Sequence, residues 1–558
     1  MSQEVFDVCV IGAGPAGIVV ALELARSGHS VALVESGGTT ADRATQSLGD
    51  TPHFDPSRHA PMALATRRQV GGASNIWGGR CVPYDPVDFD DRPFIPDSSW
   101  PLGYDEISPY FQRASDWFFT GDARFRSDEV SGIAHKSLVP GLPDGDVLSS
   151  TLERWSLPTN FGKEYATALR TTKGLRVETG LTCVQIVTSD DGAAVSRVEC
   201  RRLDGGRRDI AARHFVLACG ALETTRLLLA SDARHAGGIG NHSGLLGRFY
   251  MGHLSGRIAR VRFTTHPRAT AYAYERDMQG VYLRHRLSFS RECQLREQLP
   301  NVVSWLVNPD IADPAHGSGV LSFAYLALSS PTFGPRFVSE AIRRAAIGEG
   351  PRLVWPHVKN MLWDLPATLS FIPAFGVRRF LCWRKVPGFF VRSASNAYPL
   401  HYHAEQVPNP ESKVFLAPDR DDLGMRRLTI DLRYTEQDVS GVLRAHELWD
   451  DHLRSSRCGQ LEYYAGDLRS MVWEQAADGY HQIGTTRMST SPEQGVVDPC
   501  LRVHGVANLH IASSSVFVTS GQANSTFMIV AFGLRLADHL HHRLASESLD
   551  VAQVRVEP

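Results

Sequence analysis

The 558-residue sequence has no excess of charge of either sign: 58 Lys and Arg stand against 60 Asp and Glu, a formal net charge of -2. This excludes the strongly basic surface by which a protein binds nucleic acid through its phosphates. Cysteine is sparse. The nine residues (Cys9, Cys81, Cys183, Cys200, Cys219, Cys293, Cys382, Cys458 and Cys500) are odd in number and scattered, with no C-x-x-C pair. A zinc ribbon, a dithiol redox motif and a disulfide framework are thereby excluded, and the cysteines read as reduced thiols. Long hydrophobic runs are also missing. Val8 to Ala25 approaches the length of a membrane span but is interrupted by Gly12, Gly14, Pro15, Gly17 and Glu23, and the longest uncharged apolar run elsewhere, Leu365 to Val377, contains two prolines. Glu4 and Asp7 precede the first apolar run where a secretory signal would be basic, so the expected compartment is the cytoplasm. There is no G-x-S-x-G elbow for a serine hydrolase, no haem or iron–sulfur motif, no internal repeat and no low-complexity tract.

What is present describes a folded chain: 43% of residues are hydrophobic and 21% charged, and the length exceeds what one core accommodates. Val8 to Ile11 reads as a buried parallel strand. Gly12-Ala13-Gly14-Pro15-Ala16-Gly17 and a helical pattern through Arg26 follow it, and a second strand, Val31 to Val34, ends at Glu35. Gly12 permits the tight turn, Gly14 lets a pyrophosphate approach the backbone and Gly17 lets helix and strand pack, while the helix N-terminus offers oriented N–H groups to the anion. An acid about 20 residues downstream is where a ribose is gripped. This is a dinucleotide site, and on these residues alone FAD and NAD remain equal candidates because both present the same ADP half.

Three further segments extend the pattern: Gln69-Val70-Gly71-Gly72-Ala73-Ser74-Asn75-Ile76-Trp77-Gly78-Gly79-Arg80; Phe215 to Glu223; and the C-terminal pair His481-Gln482-Ile483-Gly484-Thr485-Thr486-Arg487-Met488 and Ser515 to Thr526. Together with the first motif they resemble the glucose-methanol-choline (GMC) family of FAD oxidoreductases, the Gly71–Arg80 loop being most similar to that of pyranose oxidases and bacterial sugar oxidoreductases. The resemblance implies an α/β fold, in which a Rossmann-like FAD-binding domain carries an inserted α+β substrate domain with a largely antiparallel sheet. Residues 1–255 and 475–558 would form the flavin domain and 256–474 the substrate domain. It further implies FAD held by Gly12, Gly14, Pro15, Ala16, Gly17, Glu35, Ser36, Gly71, Gly72, Ser74, Asn75, Ile76, Gly78, Val184, Ala218, Gly220, Ser513, Ser514, Asn524, Ser525 and Thr526. Ile76 stands where pyranose oxidases carry a flavin-linked histidine, so the FAD is expected to be non-covalent. The family's Asn-Pro-Thr reads Asn524-Ser525-Thr526, and Val518 replaces a usual proline, which leaves the backbone there less fixed in φ.

The resemblance makes His481 the general base for an alcohol proton and Asn524 a hydrogen-bond donor to the same oxygen, with hydride passing to the flavin. Taken alone, His481 also reads as a loop histidine and Asn524 as a helix N-cap. His253 reads as structural, and His504 and His510 receive no role. His401 and His403 share one face of an extended stretch, but no third ligand is in view and no metal is expected.

The region inserted between these motifs mixes helical stretches with strand-like patterns at Gly319 to Leu328 and Leu428 to Tyr434. Between Arg336 and Arg392 lie ten basic and three acidic residues, with nine Phe or Trp interleaved. Two readings stand: an active-site lid with aromatics inward and arginines outward, or a segment contacting a membrane surface or a partner protein. The expected substrate is a small-molecule alcohol, first a secondary hydroxyl of a sugar, glycoside or natural product, with electrons leaving to oxygen or an external acceptor. The alternatives are an apolar or lipid-like alcohol, or lyase or isomerase chemistry on the same scaffold.

Overall fold

Short runs of Val, Ile and Leu that bury both faces need parallel neighbours and covering helices, and the computed structural model supplies both. It describes residues 4–554 except 232, 233, 236, 339 and 349–352. Strand β1 (Val5–Ile11), helix α1 (Pro15–Arg26) and strand β2 (Val31–Glu35) form the first βαβ unit. Strands β3 (Leu175–Thr179), β4 (Thr182–Thr188), β5 (Val195–Arg201) and β6 (Arg207–Leu217) complete the sheet path β3-β2-β1-β6-β5-β4, and strand Leu509–Ile511 pairs with β6. β1, β2, β3, β6 and Leu509–Ile511 run parallel, while β4 and β5 form an antiparallel extension. Helix α2 (Ala221–Ala230) follows β6, and the C-terminal helix Thr526–Val554 packs along α1.

A second sheet is antiparallel. Its strands are β7 (His253–Phe263), β8 (Val302–Leu306), β9 (Ala397–Glu405) and β10 (Gly459–Tyr463), in the order β8-β9-β7-β10. Two large apolar cores follow, one around the parallel sheet and α1, the other around β7, β8 and β9 and including the buried Trp449. A smaller sheet joins Arg80–Cys81, Leu152–Trp155 and Tyr282–His285, so that Arg80 opposes Trp155 and Arg284 opposes Glu153.

One expected strand is a helix. Gly319 to Leu328 forms part of α3 (Gly319–Ser329), capped by Ser318, whose hydroxyl accepts from the Leu321 amide. Its nearly unbroken apolar run fits a helix buried on most sides as well as a strand, and it is long enough for the helix. The Leu428–Tyr434 pattern is extended only within the strand Arg426–Asp431. Helices α4 (Glu340–Ile347), α5 (Val354–Trp363) and α6 (Leu365–Gly376) pack against α3, and α4 also lies beside the short helix Met62–Ala65. Arg352 lies outside the described residues. All nine cysteines are free, and no helix among the described residues is long and apolar enough to cross a membrane.

Candidate active site

The turn after β1 opens onto a cleft that runs along the C-terminal edge of the parallel strands. Gly12, Gly14, Pro15, Ala16, Glu35, Ser36, Gly72, Ser74, Ala218, Gly220, Ser513, Ser514, Ser525 and Thr526 line it. The glycines differ in what they do. Gly12 has φ of +104°, and a side chain there would collide with the Ala218 backbone; one at Gly17 would overlap the Gly12 carbonyl oxygen. A Cβ at Gly14 would meet no atom and would point into open space, as expected where a phosphate needs bare backbone. Glu35 is buried, its carboxylate accepting from the Ala13 and Gly37 amides at 2.8 Å each.

Other expected residues stand behind the wall. Gly71 packs on Gly162 with φ of +94°; Asn75 ties the loop together by donating to the carbonyls of Val70 and Gly72 at 3.1 and 2.8 Å. Gly17, Ile76 and Gly78 do not line the cleft either. Val184 is buried in β4 and does not line the cleft, whereas its predecessors Thr182 and Cys183 do. The register slips between Cys183 and Gln185, and such a bulge defeats simple alternation of strand faces. Arg68, Trp77, Glu223, Tyr480 and Gln482 line the cleft without having been singled out. Arg68 forms an ion pair with Glu223 and donates to Ser36 Oγ at 3.1 Å.

At one end of this cleft, next to Tyr480 and Gln482, His481 and Asn524 meet across 43 residues of sequence: Asn524 Nδ2 lies 2.9 Å from His481 Nε2. The opposite ring nitrogen, Nδ1, is 3.0 Å from Asp478 Oδ2. Since a carboxylate can only accept, Nδ1 carries the proton and Nε2 presents its lone pair, the tautomer a base requires. Asn524 is oriented in turn, because Arg80 Nη1 donates to its Oδ1 at 2.8 Å. Asp478 also accepts from the His253 amide at 2.8 Å. Burial works to raise the Asp478 carboxyl, but the His481 and His253 side chains beside it hold it well below the usual carboxylate range.

The second sheet adds two more rings. His253 begins β7 and His403 lies on β9; their rings stack at 4.3 Å, and His253 meets His481 edge-on at 4.8 Å. Burial, first of all, keeps both neutral. The partner that brings three histidine nitrogens within 4.8 Å of one another is thus His403 with His253 and His481, and His401 is not among them. His401 instead packs on Trp305 at 4.9 Å, held neutral by burial and by Arg257, Arg284 and Arg80, its pKa pushed down to about 3. Behind Asn524 lies a charged and aromatic cluster: Arg80 and Arg284 both lie over the Trp305 ring at 4.5 Å, and both pair with buried Glu153. Asp478 and the Arg80–Glu153–Arg284 group escaped the sequence reading. Only the acid three residues before His481 offered a signal.

Against known proteins, residues 408–533 match the GMC oxidoreductase family and residues 7–283 match an FAD dependent oxidoreductase family. The chain belongs to the GMC oxidoreductases. It is an FAD-dependent enzyme of the class acting on CH–OH groups. This GMC oxidoreductase is similar over its whole length to a 2-methyl-1,2-propanediol dehydrogenase of Mycolicibacterium austroafricanum, at 21% identity over 100% of the chain and 98% of the relative. It is also similar to a 6'''-hydroxyparomomycin C oxidase of Streptomyces lividus, at 24% over 98% and 93%. In fold it matches the solved structure of a fungal aryl-alcohol oxidase, with a TM-score of 0.52 and 13% identity over 97% and 99% of the two chains. The cleft fits FAD on its own terms: bare backbone at Gly14, an acid at the end of β2 and a glycine-rich second loop at Gly72.

An Asp478→Asn substitution keeps a side chain of the same shape but removes the anion that fixes the His481 tautomer. The turnover rate is expected to fall on the order of 10²-fold, measured as the rate of flavin bleaching by substrate. The stability effect has a definite sign. The folded-state carboxyl is held below its unfolded value of about 3.9, so its contribution is present above that pH and is lost as pH falls through the folded value. The difference in denaturation midpoint between wild type and Asp478→Asn should therefore be widest at neutral pH and should narrow on acidification.

Proposed function

We propose that this enzyme oxidises a secondary hydroxyl of a sugar, glycoside or related natural product to a carbonyl, with His481 as base and Asn524 as hydrogen-bond donor. The observation that carries the reading is the chain Asp478–His481–Asn524–Arg80 beside the FAD cleft. A substrate hydroxyl that displaces the direct Asn524–His481 contact would give its proton to His481 Nε2 while accepting from Asn524 Nδ2. The imidazolium so formed is stabilised by Asp478, and loss of the carbon-bound hydrogen as hydride leaves the carbonyl. FAD, when bound, supplies the two-electron acceptor for that hydride. Reoxidation then falls to oxygen or an external acceptor.

The sugar reading draws support from the charged cluster behind Asn524. There Arg80, Glu153 and Arg284, packed on Trp305, set fixed charged groups beside the Asn524 amide, which suits a substrate with several hydroxyls. The relatives named for a propanediol and for hydroxyparomomycin C are consistent with polyhydroxylated substrates. A second reading, an apolar alcohol, is favoured by one feature: Trp155, Tyr274 and Phe375 carry the aromatic cluster outward to α6. We further assign residues 1–255 and 475–558 to the flavin domain and 256–474 to the substrate domain, and the FAD as non-covalent, since the loop 69–80 has no His, Cys or Tyr to form a link.

The test is to add panels of sugars, diols and long-chain alcohols to the purified protein without oxygen and to follow the oxidised flavin band. Sugars or polyols should bleach it, and acid precipitation should release yellow flavin into the supernatant. Bleaching by apolar alcohols alone would replace the first reading with the second. A pellet that keeps the flavin would refute the non-covalent assignment.

A further inference from the structure

Large apolar side chains exposed to water are unevenly distributed. Of the 20 found among the described residues, 12 lie between Leu353 and Trp383. Nine of them follow helical spacing along the α5–α6 hairpin: Trp355, Leu362 and Trp363 on α5, then Leu365, Leu369 and Ile372 on α6, continued by Val377, Phe380 and Leu381 in the π-helical turn. Trp355 is 72% exposed and Trp363 79%. The opposite side is packed normally. His357 is buried, 3.0 Å from Ser322 Oγ and stacked on Tyr325 at 4.2 Å, while Thr368 is buried and Phe371 and Phe375 pack on Phe389. The lid reading required these aromatics inward. Trp355, Trp363, Phe380 and Trp383 instead face solvent.

The charges around this face have one sign. From Leu353 to Lys385 the basic side chains are Lys359, Arg378, Arg379, Arg384 and Lys385, and the one acid is Asp364, whose carboxylate is used to accept from the Gly319 amide at 3.0 Å. Lys359, one turn from both Trp355 and Trp363, lies within the apolar stripe and is exposed, as is Arg378 near its far end. A lysine there can lay its stem along apolar neighbours and carry its ammonium to a plane of anionic headgroups. Helix α6 has 12 residues, about 18 Å of rise against a hydrocarbon core of about 30 Å, and includes Pro366 and Pro373. It is built to lie in an interface, not to cross one.

We propose that residues 353–385 form a docking surface for an anionic lipid bilayer, with the tryptophans and leucines seated among the headgroups and the cations of Lys359 and Arg378 above them. The inference is independent of the substrate. A second copy of the chain fits less well, because a two-fold contact through this stripe would press each cationic rim against its own counterpart.

Flotation of the FAD-loaded protein with vesicles tests this. Vesicles of phosphatidylcholine and phosphatidylglycerol in equal parts should carry the protein, and vesicles of phosphatidylcholine alone should carry far less. Binding should weaken as salt is raised toward about 1 M, where the Debye length is about 3 Å. Trp363→Glu/Leu369→Glu and, separately, Lys359→Glu/Arg378→Glu should each cut the bound fraction by about tenfold or more, with the flavin spectrum and turnover unchanged to show that the fold is intact. Absence of flotation with the anionic vesicles, or equal flotation with neutral ones, would overturn the proposal. So would a concentration-dependent dimer in lipid-free buffer that Trp363→Glu/Leu369→Glu abolishes while flotation is unaffected.

Discussion

A His481→Ala variant is expected to purify yellow and to lose about 10³-fold in the rate at which an alcohol bleaches its flavin. Both halves of that expectation come from position. His481 is not among the residues that line the cofactor cleft, although its neighbours Tyr480 and Gln482 are, so removing the imidazole leaves the cradle of Gly12, Gly14, Glu35 and Gly72 in place. The ring itself is held from both sides, by Asp478 at 3.0 Å and Asn524 at 2.9 Å, and no second base replaces it. His253 and His403 are fully buried rings kept neutral by that burial. Asn524→Ala should cost about 10²–10³-fold, the usual loss for one donor to a developing oxyanion. Because both groups serve one oxygen, the double variant should lose less than the product of the two factors. Stopped-flow reduction under anaerobic conditions separates these effects from reoxidation. Unchanged rates in His481→Ala would remove His481 from the chemistry and return it to the role of a loop histidine.

How much of this was legible beforehand depends on how far apart the interacting residues lie in sequence. The first βαβ unit is local: the glycine spacing, the helix start at Pro15 and the acid at Glu35 all fall within 31 residues of Val5, and each carries its reason in its own side chain or lack of one. The strand-like pattern Gly319 to Leu328 misleads because an apolar run without alternation satisfies either geometry, and it lies in the helix Gly319–Ser329. The site failed differently. Arg80 reaches Asn524 across 444 residues and His403 reaches Ser255 across 148, and no periodicity reports pairings of that separation. Nor does composition tell which way an aromatic points. The nine Phe and Trp of residues 336–392 were visible, but that Trp355 and Trp363 face water while Phe371 and Phe375 face inward required the packing of α5 and α6 on α3.

The largest expected loss of stability lies in a pair that neither binds the cofactor nor touches the catalytic side chains. Arg92 and Glu405 have no exposed surface, and they join by two hydrogen bonds, Nη1 to Oε2 at 2.7 Å and Nη2 to Oε1 at 2.8 Å. Breaking a buried pair from one side leaves a bare charge in the interior, so Arg92→Met should destabilise the protein by about 3–5 kcal/mol, read from denaturant or thermal midpoints. Glu405→Gln added to it removes the stranded charge while keeping an acceptor for the Asn301 amide, which the carboxylate holds at 2.9 Å. The double variant should recover most of the loss. Activity should follow stability in the single variant, because Glu405 ends β9, the strand that bears His403. The next residue, Gln406, donates its amide to Ser520 Oγ at 2.9 Å and accepts from the Gly252 amide at 2.7 Å. Through these two bonds the end of β9 fixes both the segment leading to His253 and the loop leading to Asn524. Arg92→Met at wild-type stability, or Arg92→Met/Glu405→Gln no better than the single variant, would show that the pair does not fix the end of β9 and that the site is positioned from elsewhere.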